Sequence, residues 1–317
     1  MKTAILLPTF NRLDCLKDVF AAVAKAKPPR LYIASDGPRP DKEGEKEKVQ
    51  EVRDYLLSHI DWPCEVKTRF LDENSGGCGK GVSGAITWFL ENEPEGIILE
   101  DDCLPSPSFF TFCEKLLDKY KNDKKVFSIV GYLPVAQVES PYAYEFASVS
   151  HCWGWATWAD RWQKFRLDVS DINDDVVENI SSFFNIKQYW NYILQRVKRN
   201  EINSWYFPWN FCIAEQKGLT IFPTKNLISN IGEEGAHYSN KDQRLFSPTF
   251  TLDIKKYHSD QRVYLMNAVL WKHFYNLQNP FRKGVTKTVQ PVLKAPTRSI
   301  KIYKLFGFIP FLSIEDK

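Results

Sequence analysis

The chain has 317 residues, of which 44% are hydrophobic and 26% charged, enough to bury a substantial core as one large α/β domain or as a catalytic domain with an appendage. A formal net charge of +3 argues against nucleic acid as the main partner, because nucleic-acid binding normally leaves a strongly basic footprint. No run approaches the roughly 20 apolar residues needed to span a bilayer, and Pro8 interrupts Ala4-Ile5-Leu6-Leu7 before a signal peptide can form. The 7 cysteines are scattered without a Cys-x-x-Cys pair, which suits free thiols in a reducing compartment, so a cytoplasmic location is expected.

In chain order, the first 130 residues alternate short apolar runs with helical patterns, the mark of a parallel sheet covered by helices. Thr3–Leu7 reads as a strand, Leu13–Ala24 as a helix, Leu31–Ala34 as a strand and Lys46–Leu57 as a charged helix. Val66–Phe70 and Ile97–Leu99 read as further strands, with a helix over Val82–Leu90 between them. Phe109–Tyr120 reads as a helix and Val126–Val130 as a strand. Beyond residue 131 the alternation fades into aromatic-rich segments with helices over Trp158–Lys198 and Trp209–Lys217. The division expected is residues 1–240 as one domain, with a nucleotide half (1–131) and an acceptor half (132–240), then a helical, basic extension over 241–317.

Aromatic residues make up 15% of the chain, including 10 Trp. They suit either sugar-stacking surfaces or a thick core. From Phe281 to Ile314 no acidic residue occurs, while Arg282, Lys283, Lys287 and Lys294 lead a basic run that ends in Leu305–Leu312. Residues 282–312 could therefore meet an anionic membrane surface from the cytoplasmic side, or form a solvated tail.

Ligands of open α/β sheets bind at the carboxyl ends of strands, so the residues after each strand carry most information. The first strand is followed by Pro8-Thr9-Phe10-Asn11-Arg12, and the second by Ser35-Asp36-Gly37, where Asp36 can accept from a base N–H or ribose hydroxyl or simply cap a turn. The third leads into Asn74-Ser75-Gly76-Gly77-Cys78-Gly79-Lys80-Gly81, whose glycines let backbone N–H groups approach a ligand with Lys80 as countercharge. It lacks the spacing of a nucleotide triphosphatase loop. The fourth leads into Glu100-Asp101-Asp102, three carboxylates whose mutual repulsion a divalent cation relieves. A helix start enriched in acids is the alternative.

Together these four strings resemble the nucleotide-sugar domain of GT-A fold glycosyltransferases, whose Asp-x-Asp-type motif holds a metal. The later strings His151-Cys152-Trp153-Gly154-Trp155-Ala156-Thr157-Trp158 and Asn226–Gly232 resemble a bacterial family 2-like branch, similar in turn to the N-acetylglucosaminyltransferase I group. The resemblance spans residues 1 to 240. It implies a Rossmann-like α/β fold, a nucleotide diphosphate sugar donor, UDP-linked by default, and a glycan or glycolipid acceptor at a cell surface. It also implies Mn²⁺ or Mg²⁺ as cofactor.

By that resemblance Thr9, Asn11, Arg12 and Asp36 contact the nucleoside, with Pro8, Asn74, Gly77 and Lys80 beside them. Asp101 contacts the ribose or sugar, and Asp102, with His237, holds the metal. An inverting transfer also needs a general base near the acceptor hydroxyl. Where relatives place an acid, this chain has Tyr206 in Trp205-Tyr206-Phe207-Pro208-Trp209, which leaves Glu233 or Glu234 as candidates, with Asp171, Asp174 and Asp175 more remote. A sugar nucleotidyltransferase and a non-catalytic carbohydrate-binding protein are the rival readings.

Overall fold

The computed structural model describes residues 1–181, 184–232, 264–270, 299–305 and 309–315. Strand β1 (Ala4–Thr9) is buried along its whole length, as expected of a strand covered on both faces. It is followed by α1 (Leu13–Ala26), β2 (Arg30–Ser35), α2 (Glu45–Ser58), β3 (Glu65–Phe70), α3 (Cys78–Asn92) and β4 (Glu95–Ile98). Three parallel pairings place these strands in the order β3-β2-β1-β4. The chain walks outward from β1 to β3 and then returns to the other side of β1. Right-handed crossovers therefore put α1 and α2 on one face and α3 on the other. The reversal between β1 and β4 opens a crevice at their carboxyl ends.

The chain continues through β5 (Cys103–Pro105), α4 (Pro107–Tyr120), β6 (Val126–Val130), β7 (Tyr144–Ala147), β8 (Trp155–Trp158) and α5 (Ala159–Trp162). After a 3₁₀ turn at Asp174–Val176 come α6 (Val177–Ile180), α7 (Phe184–Lys198), α8 (Tyr206–Glu215), β9 (Leu219–Pro223) and β10 (Ile228–Asn230). The full sheet runs β3-β2-β1-β4-β8-β6-β9-β7, with β8 antiparallel to both β4 and β6. A mostly parallel α/β sheet flanked by helices is thus present.

The second half departs from its helical expectation. Strands β7, β8 and β9 complete the same sheet, and β8 lies directly against β4. The helical reading over Trp158–Lys198 resolves into short α5 and α6 and the long α7. Helix α3 begins four residues earlier than its apolar pattern suggests, at Cys78. The extension beyond residue 240 is not helical throughout. Its described parts are α9 (Tyr264–Leu270) and an antiparallel pair, β11 (Ser299–Leu305) with β12 (Ile309–Glu315). Asn267 of α9 accepts from the Ser148 backbone N–H (3.1 Å) and donates to the Ser148 hydroxyl (3.0 Å), so α9 docks onto the sheet beside β7. Among the described residues no helix is long and apolar enough to cross a membrane.

Most tryptophans belong to the core. Trp155, Trp205 and Trp209 are fully buried, with Trp155 stacked on Trp205 at 5.3 Å between ring centroids and Trp162 within 5.0 Å of Trp209. This aromatic block lies under β8 and supports the start of α8. Close packing also dictates glycine at 131, where a Cβ would stand 2.5 Å from Phe109 and 2.8 Å from Ile228. Gly131→Ala is expected to destabilise the fold by about 1–3 kcal/mol, the usual cost of overpacking, measured as a fall in the urea midpoint without a change in slope.

Candidate active site

Residues after β1, β2, β3 and β4 converge on one cleft of about 880 Å³. Its near wall carries Pro8, Thr9, Asn11, Arg12 and Asp36, and its floor carries Glu100, Asp101 and Asp102, with Asn74 and Gly77 at the glycine-rich turn. Its far wall belongs to the second half of the chain, with Trp153, Tyr206 and Phe207 and one face of α7 made of Tyr189, Tyr192, Ile193 and Arg196. Lys80 is exposed and does not line the cleft. Glu233, Glu234 and His237 lie outside the described residues.

Arg12, three residues past the end of β1, meets the acids past β4 across the crevice. Its guanidinium binds Asp101 through Nη2 and Asp102 through Nη1, the latter at 3.0 Å from Oδ2. Burial alone would favour loss of the arginine's proton, but the two carboxylates outweigh it and hold the guanidinium charged. Burial pushes Asp101 up to about 6 against the pull of Arg12, and pushes Glu100 up to about 8 with help from the Asp102 and Asp101 charges. The neighbouring Trp205 side chain partly offsets that rise. Three acids thus face one cation, leaving an excess of negative charge in a site screened from water.

The other expected contacts are engaged with the protein itself. Asp36 accepts from the Gly37 and Ser75 backbone N–H groups (both 2.9 Å) and from the Ser75 hydroxyl (2.7 Å), an arrangement that ties the β2 turn to the glycine-rich turn. The Thr9 hydroxyl donates to the Ala34 carbonyl (3.3 Å) and Asn11 donates to Glu45 (3.0 Å). Their side chains shape the cleft wall as much as they face a ligand. Gly232 abuts the Arg12–Asp102 pair: a Cβ there would lie 2.9 Å from Asp102 and 3.1 Å from Arg12. The Ile231 N–H donates to the Asp102 carbonyl at 2.8 Å, so the end of β10 is pinned to the acids.

Among the described residues no group of three His, Cys, Asp or Glu side chains is arranged to hold a metal. A hard divalent cation, however, commonly takes only one or two carboxylates and completes its shell with substrate phosphates and water. The surplus acidity at Glu100–Asp102 suits a cation of that kind.

Sequence reasoning assigned the far wall to the second half of the chain but missed several of the residues around the cleft: the α7 face and Asn203, and Arg39 and Arg69 from the first half, all line it. The spacing 189, 192, 193, 196 is the helical i, i+3, i+4, i+7 signature and could have been read as one face. His151 is also buried here, its Nδ1 accepting from the Trp153 N–H (3.2 Å) and its ring 4.5 Å from that of Tyr132.

No known protein-family model matches the chain, and no curated protein matches it. Solved structures with some likeness include a UDP-glucose pyrophosphorylase complexed with UDP-glucose, at 11% identity and a TM-score of 0.37, covering 73% of this chain and 94% of that one. A glycosyltransferase from Streptococcus pneumoniae aligns at 12% identity with a TM-score of 0.32, covering 69% of this chain and 45% of that one. Mouse xyloside xylosyltransferase 1 aligns at 10% identity with a TM-score of 0.34, covering 68% and 82%. At these values the likeness carries no functional information about this chain.

Two outcomes follow from the charges in the cleft. Replacing Arg12 with Met strands the acids, and because the guanidinium is partly exposed the expected loss is on the order of 2 kcal/mol at pH 8. The loss shrinks at pH 5, where Glu100 and Asp101 take up protons; equal losses at both pH values in chemical denaturation would contradict the charge assignment. Burial also depresses His151 from an ordinary 6.5 to about 3. The unfolded chain therefore binds this proton first as pH falls, so the contribution is complete above pH 6.5 and is lost as pH drops toward 3. His151→Asn should flatten the wild-type stability slope between those values by up to about 1.4 kcal/mol per pH unit.

Proposed function

We propose that the chain is a glycosyltransferase that moves a sugar from a nucleotide diphosphate, UDP-linked as the first candidate, to a glycan or glycolipid acceptor with inversion at the anomeric carbon. The observation that carries this reading is the acid triplet Glu100–Asp102 at the end of a central strand, on the floor of the cleft whose wall is the Pro8–Arg12 turn and Asp36. A divalent cation, Mn²⁺ or Mg²⁺, held by Asp102 and by His237 would supply neutralisation of the charge on the departing diphosphate.

The chain's own residues do the rest. Arg12 keeps Asp101 and Asp102 in a fixed arrangement and offers its guanidinium to a diphosphate, matching planar donors to phosphate oxygens. The near wall orients the donor and the far wall excludes water from the reacting centre. A carboxylate, Glu233 or Glu234, removes the acceptor proton as the glycosidic bond forms. The basic tail over 282–312 is proposed as a contact with an anionic membrane face at a glycolipid acceptor, which places the protein in the cytoplasm at the inner membrane surface.

Thermal shift with UDP, GDP, CDP and dTDP, each with and without Mn²⁺, tests the reading, since a ligand bound only by the folded state raises its melting temperature. One nucleotide is expected to shift the wild type only with the cation. Asp102→Asn, which keeps the side-chain volume, is expected to weaken that binding at least about tenfold, or 1.4 kcal/mol. Unchanged cation-dependent binding in Asp102→Asn overturns the metal assignment. Pyrophosphate release from a nucleoside triphosphate and a sugar 1-phosphate would instead establish a nucleotidyltransferase, and sugar binding independent of nucleotide a carbohydrate-binding protein.

A further inference from the structure

The glycine-rich turn that opens α3 is held by a side chain from the opposite wall, and we infer that Asn203 is a positioning residue that latches the nucleotide-side turn to the acceptor-side wall. The inference rests on the reading of the cleft as a donor site facing an acceptor site. Asn203 Oδ1 accepts from the Gly79 N–H at 2.9 Å, and its Nδ2 donates to the Gly76 carbonyl at 2.8 Å. One amide thereby satisfies a free N–H at the helix start and a carbonyl in the turn before it. The glycines make room for it: a Cβ on Gly77 would stand 2.5 Å from Asn203 Nδ2, and one on Gly79 would stand 2.7 Å from Oδ1. These two glycines therefore admit a side chain of the same protein, and the Gly79 N–H is spent on Asn203 rather than left for a phosphate.

The residues around Asn203 reach the other parts of the cleft. Two positions before it, Glu201 pairs with Arg196 of α7 (3.1 Å), one turn from Tyr192 on the cleft face. Two positions after it, Trp205 lines the cleft with Glu100. Residues 201–205 thus border the turn, the acids and the far wall within five positions. Asn203 itself is exposed, so its two bonds open and close readily compared with buried ones. A ligand that orders the turn then also orders the far wall, and the coupling is reciprocal.

Hydrogen exchange measured by mass spectrometry on the full chain tests the latch, with UDP and Mn²⁺ as the probe. Without ligand, Asn203→Ala should speed exchange at least about threefold both in the turn (76–81) and in 192–205; faster exchange confined to 76–81 overturns the latch. Asn203→Asp keeps an acceptor for the Gly79 N–H, and so the helix start, but sets an oxygen against the Gly76 carbonyl. It should loosen 192–205 in the same way. With UDP and Mn²⁺, the wild type should gain protection in both segments and the two variants in the turn alone; variants that match the wild type in both segments overturn the inference. Absence of UDP protection in the wild type overturns UDP as the donor nucleotide, while the ligand-free comparison still decides the latch.

Discussion

The site depends on a charge imbalance that the topology creates. β1 and β4 are neighbours whose following loops turn into the same crevice, so Arg12 and the Glu100–Asp102 run meet without any long-range search. Like charges this close are costly in a site shielded from water, and one guanidinium offsets only part of that cost. Burial, more than the neighbouring charges, holds Glu100 and Asp101 above the usual carboxylate range, and Arg12 lowers both. A folded protein keeps such a cost where the surrounding structure over-determines it, and here the surroundings are a buried sheet on one side and a stacked tryptophan block on the other.

That aromatic block explains a composition that could have meant something else. Trp155, Trp162, Trp205 and Trp209 interlock behind the cleft instead of presenting open faces to a sugar. Their contribution to the site is rigidity, since Trp205 both stacks in the block and lines the cleft beside Glu100. The far wall is therefore anchored in the core at its base and tied to the glycine turn at its rim.

The first half was legible because its inner strands, β1 and β2, are apolar runs and its turns carry polar punctuation. Leu31–Ala34 and Val66–Phe70 lie within β2 and β3 as observed. Strand β8 was hidden inside His151–Trp158, where a strand buried on both faces shows no alternation and the aromatic string reads as a motif. Helix α3 was read short because glycines at 79 and 81 disfavour helix in isolation, whereas Asn203 fixes its first turn from 124 positions away in sequence. No local pattern encodes a bond of that span. Lys80 shows the converse: a basic residue beside glycines suggested a phosphate countercharge, yet the helical phase turns it to solvent.

Strand β8 also settles how the cleft can change shape. It belongs to the second half of the chain yet is hydrogen-bonded between β4 and β6, and both walls therefore grow from one continuous ladder. Hinged closure at the β4–β8 join would break that ladder, which disfavours a clamshell motion there. Fit to different substrates has to come from the connecting segments above the sheet, and these segments can diverge in length and sequence without disturbing the scaffold beneath them.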